Sequence, residues 1–106
     1  MVRYQVHSDR VGENIALVQA VYAELAALAP PGFRYTTYQC DDGVTFVHLA
    51  TSDGPPPLPG LAAFHRFQEG LPERCTQPPV FAELSEVGSF GGPFDRIFSC
   101  WNPSAV

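Results

Sequence analysis

The stretch "DDGVTFVHLATSDG", residues 41 to 54, constrains the fold more than any other part of the chain. Asp42-Gly43 reads as a hairpin turn, and Val44 to Ala50 reads as a strand. Alternate side chains of a strand point to opposite faces. Here both faces are apolar: Val44, Phe46 and Ala50 share one with His48, while Val47 and Leu49 occupy the other. A sheet covered by helices on one side only leaves its second side to water, and such a face carries polar residues. This strand therefore calls for cover on both sides.

The neighbouring segments supply the rest of the architecture. Residues 2 to 7, "VRYQVH", alternate with a period of two and predict a first strand. Ser8 and Asp9 are helix-capping types. A helix is predicted over residues 11 to 28, with Ile15, Val18, Tyr22, Leu25 and Leu28 as its apolar stripe, widened by Val21. Pro30-Pro31-Gly32 ends it. "FRYTTYQC", residues 33 to 40, is aromatic and β-branched and predicts the second strand. After the third strand, "SDGPPPLPG" is too rich in proline for regular structure. A second helix follows over residues 60 to 71, burying Leu61, Phe64, Phe67 and Leu71, and a fourth strand over residues 79 to 90.

The order strand, helix, strand, strand, helix, strand defines an α+β class chain, a ferredoxin-like βαββαβ sheet with both helices on one face. The second face is then bare, yet the third strand is apolar on both faces and the second strand carries tyrosines on both, Tyr35 and Tyr38. A second copy of the chain, sheet against sheet, covers it most simply. The expectation is a homodimer through the sheet face, a dimeric α+β barrel. Residues 1 to 90 form this domain. Residues 91 to 106 form a tail in which Phe94, Ile97, Phe98 and Trp101 share one helical face that docks on the body or the partner subunit.

Composition narrows the partners. With 106 residues the chain is one domain, and its net charge of −5 without a basic cluster argues against nucleic acid and against anionic membranes. No run of about 18 apolar residues is present, and "MVRYQVHSDR" lacks the apolar core of a signal peptide, so a cytoplasmic protein is expected. The three cysteines, Cys40, Cys75 and Cys100, are widely spaced and fit reduced thiols. No phosphate loop, nucleophile elbow or metal-binding spacing is found, so neither metal nor cofactor is expected.

"RYQVHSDRVGENIALVQAVYAEL", "GFRYTTYQCDDGVTFVHLATSDG" and "LAAFHRFQEGLPERCTQPPVFAELSEVGSF" together resemble small bacterial proteins of the dimeric α+β barrel superfamily, in particular the antibiotic biosynthesis monooxygenase-like group. The resemblance spans residues 2 to 90 and is one of layout. It implies a dimer with a pocket between each sheet and its helices. Catalytic members include cofactor-independent monooxygenases acting on polycyclic phenols, and haem-degrading enzymes. The haem degraders carry an Asn on the first strand, a Trp on a central strand and a His in the second helical region; this chain has Gln5 or His7, Phe46 and His65 there.

His48 is the first candidate for chemistry, as a neutral imidazole able to take a phenolic proton; equally, it is a core histidine satisfied by hydrogen bonds. His65 lies beside the stripe of the second helix, at a pocket rim or on the surface. His7 sits at a strand end. Tyr4, Tyr22, Tyr35, Tyr38, Phe46, Phe64 and Phe67 offer aromatic surface for a planar ligand, although any small core uses the same residues. Arg3, Arg34, Arg66 and Arg74 are candidates to hold an acidic group. Cys75 is a nucleophile only where an electropositive site lowers its pKa. Three functions are compatible with these residues: a cofactor-independent monooxygenase on an aromatic or polycyclic phenol, with His48 or His65 as base; a non-catalytic dimeric module binding a small molecule or a partner; and a haem-binding or haem-degrading protein.

Overall fold

The computed structural model describes residues 1–91. Its elements, in chain order, are β1 (Val2–Gln5), α1 (Val11–Leu28), β2 (Phe33–Gln39), β3 (Thr45–Ser52), α2 (Ala62–Glu69), the short α3 (Leu71–Arg74) and β4 (Val80–Phe81). The strands form one antiparallel sheet in the order β2-β3-β1-β4. That order, with the helices packed on one face, is the ferredoxin-like arrangement expected from the pattern.

Period-two alternation decides which side chains meet the helices. Tyr4 pairs with Phe46 across β1 and β3, and His48 pairs with Thr37 across β3 and β2. Tyr4, Val6, Phe46 and His48 are buried together with Val18 and Val21 of α1 and Phe67 of α2. The opposite face carries Arg3, Arg34, Thr36 and Thr51, all exposed, around half-buried Tyr38, Val47 and Leu49. It is thus a mixed face, with an apolar centre and a charged edge.

The β2–β3 hairpin closes as its sequence requires. Gly43 N–H donates to Cys40 O at 3.0 Å, and Asp42 accepts from the amides of Val44 and Thr45. Gly43 has φ of +78°, a left-handed conformation that costs any residue with a Cβ about 1–2 kcal/mol. Gly43→Ala is expected to lose about 1 kcal/mol; equal denaturation midpoints for the two proteins would show that the turn relaxes.

Several boundaries differ from the sequence expectation. Ser8 and Asp9 make no cap: they lie in a 3-10 turn, Ser8–Arg10, and no side chain caps α1. The turn and helix, Ser8–Leu28, are long and apolar enough by composition to cross a bilayer, contrary to the run-length reading. Here α1 lies on the sheet, burying Asn14, Val18 and Val21. Leu28 leaves the stripe and is exposed in the last turn, which closes with Ala29 left-handed and its amide on Leu25 O. The second helix is broken at Gly70, where the chain turns before Pro72 into α3. Its N-terminus is capped from α1, through Glu24 Oε1 accepting the Ala63 amide at 2.9 Å.

The largest difference is the fourth strand. Val80 and Phe81 pair with β1, Ala82 exchanges backbone hydrogen bonds with Met1, and residues 83–91 run on outside the sheet, leaving Leu84, Val87 and Phe90 exposed. Their apolar character suits a strand, but among the described residues no strand pairs with them. The amphipathic tail expected around Phe94 to Trp101 lies outside the described residues.

Candidate functional site

His48 sits at the middle of the sheet, 3 % exposed, with α2 above it. Its Nε2 lies 2.7 Å from Tyr4 Oη on β1, and its Nδ1 lies 2.5 Å from Tyr35 Oη on β2. Thr37 Oγ1 is 3.3 Å from the same Nδ1 and 2.9 Å from Tyr22 Oη. Register explains the gathering: a histidine on the central β3 meets side chains from the strands on both sides. The Phe67 ring of α2 covers the imidazole at 5.3 Å between centroids.

The network continues behind Tyr4. Asn14, fully buried on α1, donates through Nδ2 to Tyr4 Oη at 2.9 Å. Arg74, 1 % exposed, donates through Nε to Asn14 Oδ1 at 3.1 Å and through Nη2 to Phe67 O at 2.9 Å. The second bond satisfies a carbonyl in the last turn of α2, where helices leave their C=O groups unpaired and favour a cation. The guanidinium also lies 5.2 Å from the centre of the Phe67 ring. No buried side-chain polar atom among the described residues lacks a partner.

Burial sets the electrostatics. It lowers the pKa of His48 to about 4, so the imidazole is neutral near pH 7. It raises the phenols of Tyr4 and Tyr35 well above the ordinary tyrosine value, so both stay protonated. Burial likewise pushes the Cys75 thiol up, with nearby Arg74 opposing. That is the reverse of what a nucleophilic cysteine needs.

Beside this network is a cavity of about 210 Å³ between the sheet and α2. Val2, Ala50, Leu58, Phe64, Phe67 and Leu71 make its walls apolar, His48 and Tyr35 form a polar corner, and exposed Gln68 lies at the rim. An apolar space with a few convergent polar groups is the usual form of a small-molecule site. The volume falls below the roughly 300 Å³ at which pockets for drug-sized molecules begin.

The candidate residues divide accordingly. His48, Tyr35, Phe64 and Phe67 line this cavity. Tyr4 supports His48 from behind, and Phe46 stacks on Tyr4 with 5.6 Å between ring centroids. Tyr22 stacks on Tyr35 at 5.2 Å, outside the cavity. His65 is exposed on the far side of α2, and its Nε2 donates to Pro59 O at 2.7 Å. His7 is exposed and holds the chain through its backbone, donating to Arg74 O. Arg74, a candidate to hold an acidic group, instead donates to Asn14 and to the Phe67 carbonyl, and Asn14 is a site residue that the sequence reading does not name. Asn14 leaves a signal, since it occupies the 14-18-21-25 face of α1 as the polar member of an apolar stripe. Arg74 leaves none, because the proline-interrupted segment around it has no periodicity. Among the described residues no group of three or more His, Cys, Asp or Glu side chains could hold a metal ion.

The fold and this corner define an α+β ferredoxin-like protein with a pocket under its second helix. No protein-family model matches the sequence, and no curated protein does. Among solved structures the chain is similar to that of Rv0793 from Mycobacterium tuberculosis, with 22 % sequence identity, a TM-score of 0.62, and 82 % of this chain and 94 % of that one covered. At that identity the likeness is one of fold.

Proposed function

We propose that this chain is a homodimeric pocket protein of the antibiotic biosynthesis monooxygenase-like group, taking a one- or two-ring phenolic or enolic molecule. One observation carries the reading: an apolar cavity whose single polar corner is a histidine held between two tyrosines. The planar walls suit an aromatic ring. The polar corner suits one oxygen substituent.

His48 is a poor base in this arrangement. Both ring nitrogens hold tyrosine hydroxyls, and burial opposes the imidazolium. Neither nitrogen is free for haem iron. The anion that reacts with oxygen therefore owes its formation to the ligand's own acidity, with the protein supplying orientation and exclusion of water. A thermal-shift survey of naphthols and substituted phenols tests this. A ligand at a hundredfold excess over Kd raises stability by about 2.7 kcal/mol. Oxygen uptake should follow with the compounds that bind; a panel in which nothing moves Tm defeats the pocket reading, and binding without uptake leaves a non-catalytic module.

The dimer is supported by the apolar strip along residues 80–90. Val87 and Phe90 are each 100 % exposed in the single chain, and Phe81 is 71 % exposed. A second copy placed over the apolar centre of the outer sheet face, at Val47 and Leu49, could cover them. Sedimentation equilibrium is expected to give twice the mass of one chain, and Val87→Asp with Phe90→Asp to shift it to one. A wild-type monomer at tens of micromolar would remove the dimer from the proposal. Cys40 and Cys75 are free thiols, in keeping with a reducing, cytoplasmic setting.

A further inference from the structure

The hydrogen bonds around His48 have a direction, and it can be read from one end. Arginine has donors and no acceptor. Arg74 therefore fixes the amide of Asn14 with its oxygen toward the guanidinium and its nitrogen toward Tyr4. Tyr4 Oη accepts from Asn14, so its own hydrogen goes to its remaining partner, His48 Nε2. A neutral imidazole that accepts at Nε2 carries its hydrogen at Nδ1. Nδ1–H then donates to Tyr35 Oη, with Thr37 Oγ1 as a more distant second acceptor. Tyr35 has now received a hydrogen bond, and apart from Thr37, whose Oγ1 already faces Tyr22 Oη and His48 Nδ1, its own hydroxyl hydrogen has no partner among the described residues. Tyr35 lines the cavity.

We propose that Tyr35, set as an outward donor by the chain Arg74–Asn14–Tyr4–His48, is the specificity residue of the cavity, which selects molecules with an accepting oxygen: a carbonyl, phenolate or enolate. The inference rests on the cavity being a ligand site. Each bond in the chain polarises the next in the same sense, away from a permanent cation, which strengthens the terminal O–H as a donor. Reversing the chain would turn the Asn14 amide nitrogen toward the guanidinium, donor against donor. A ligand donor meets a Tyr35 oxygen that already accepts from Nδ1–H, whereas an accepting oxygen on the ligand meets the free O–H, so acceptors are favoured.

Two measurements test this. The first needs no ligand: the ¹⁵N shifts of His48 are expected to show a protonated Nδ1 and a bare Nε2, and the opposite tautomer overturns the proposal. The second compares 1-tetralone, which has a carbonyl, with tetralin, which has none. Tetralone is expected to bind wild type about tenfold more tightly, as one net hydrogen bond allows. Tyr35→Phe should bring the two to equal affinity while leaving tetralin unchanged and the chain folded. Discrimination that survives in Tyr35→Phe overturns the proposal, as does equal binding to wild type. Binding of neither compound, with the Nδ1–H tautomer present, defeats the ligand-site reading and takes the specificity role with it.

Discussion

Arg74→Met is expected to cost the fold about 3–5 kcal/mol, a large part of what a domain of this size has in hand. The substitution keeps most of the apolar stem and removes the head group. Two buried acceptors, Asn14 Oδ1 and Phe67 O, then lose their donor. A hydrogen bond from a charged group contributes about 1.5–3 kcal/mol, and an acceptor stranded without water costs about 1–3 kcal/mol. The loss is felt at both ends of the site, since one bond closes the last turn of α2 and the other fixes Asn14. Arg74→Lys should fall between, because an ammonium is a point charge and cannot hold both acceptors in a fork. Arg66→Met, at an exposed position on the same helix system, should change stability little. Urea titrations of the four proteins decide the matter, and a loss below about 1 kcal/mol for Arg74→Met would mean that water enters and replaces the guanidinium. The Asn14→Ala and Arg74→Met pair should be strongly non-additive, as residues in one network are.

The fold was largely legible because its signals are local. The alanine-rich stripe from Val11 to Leu28 and the Asp42-Gly43 turn depend on near neighbours, and their boundaries follow from them. The break at Gly70 and the early end of β4 depend on what lies alongside. Alternation in residues 79 to 90 describes a segment able to be a strand, but pairing requires a second edge, and among the described residues that edge engages only Val80, Phe81 and Ala82. The site divides in the same way. His48 stands out as a polar residue on an apolar strand face. Its partners Tyr4 and Tyr35 follow once the register is known, as Tyr4 sits on the strand beside it and Tyr35 on the other. Arg74 is 60 residues from Asn14 in sequence, and no pattern in either segment announces their meeting. Rigid positions of this kind are what a site needs, since a donor is useful only if its supports cannot turn.

The stability of the protein is expected to fall by about 3 kcal/mol between pH 6.5 and pH 4 through His48 alone, from its pKa of about 4 against an ordinary 6.5. Above pH 6.5 both the folded and the unfolded histidine are neutral, and the group makes no pH-dependent contribution. As pH falls below 6.5 the unfolded chain takes up a proton that the folded chain refuses, so unfolding gains free energy. The loss continues until the folded imidazole protonates near pH 4 and then levels off. Burial is the cause of the shift, and the hydrogen bonds add a second obstacle. An imidazolium would donate to Tyr4 from Nε2, while Tyr4 already accepts from Asn14, and the tyrosine's own hydrogen would have nowhere to go. Glu13 and Asp42, whose pKa values are lowered by Arg10 and by Thr45 respectively, lose their contributions only at lower pH. The window from 6.5 to 5 therefore belongs mainly to the histidine. His48→Gln should be less stable at pH 7 but show a flatter profile across that window, in chemical denaturation at half-unit steps. Parallel profiles for the two proteins would mean that His48 titrates in the fold as it does in the unfolded chain, and the closed network around it would have to be open in solution.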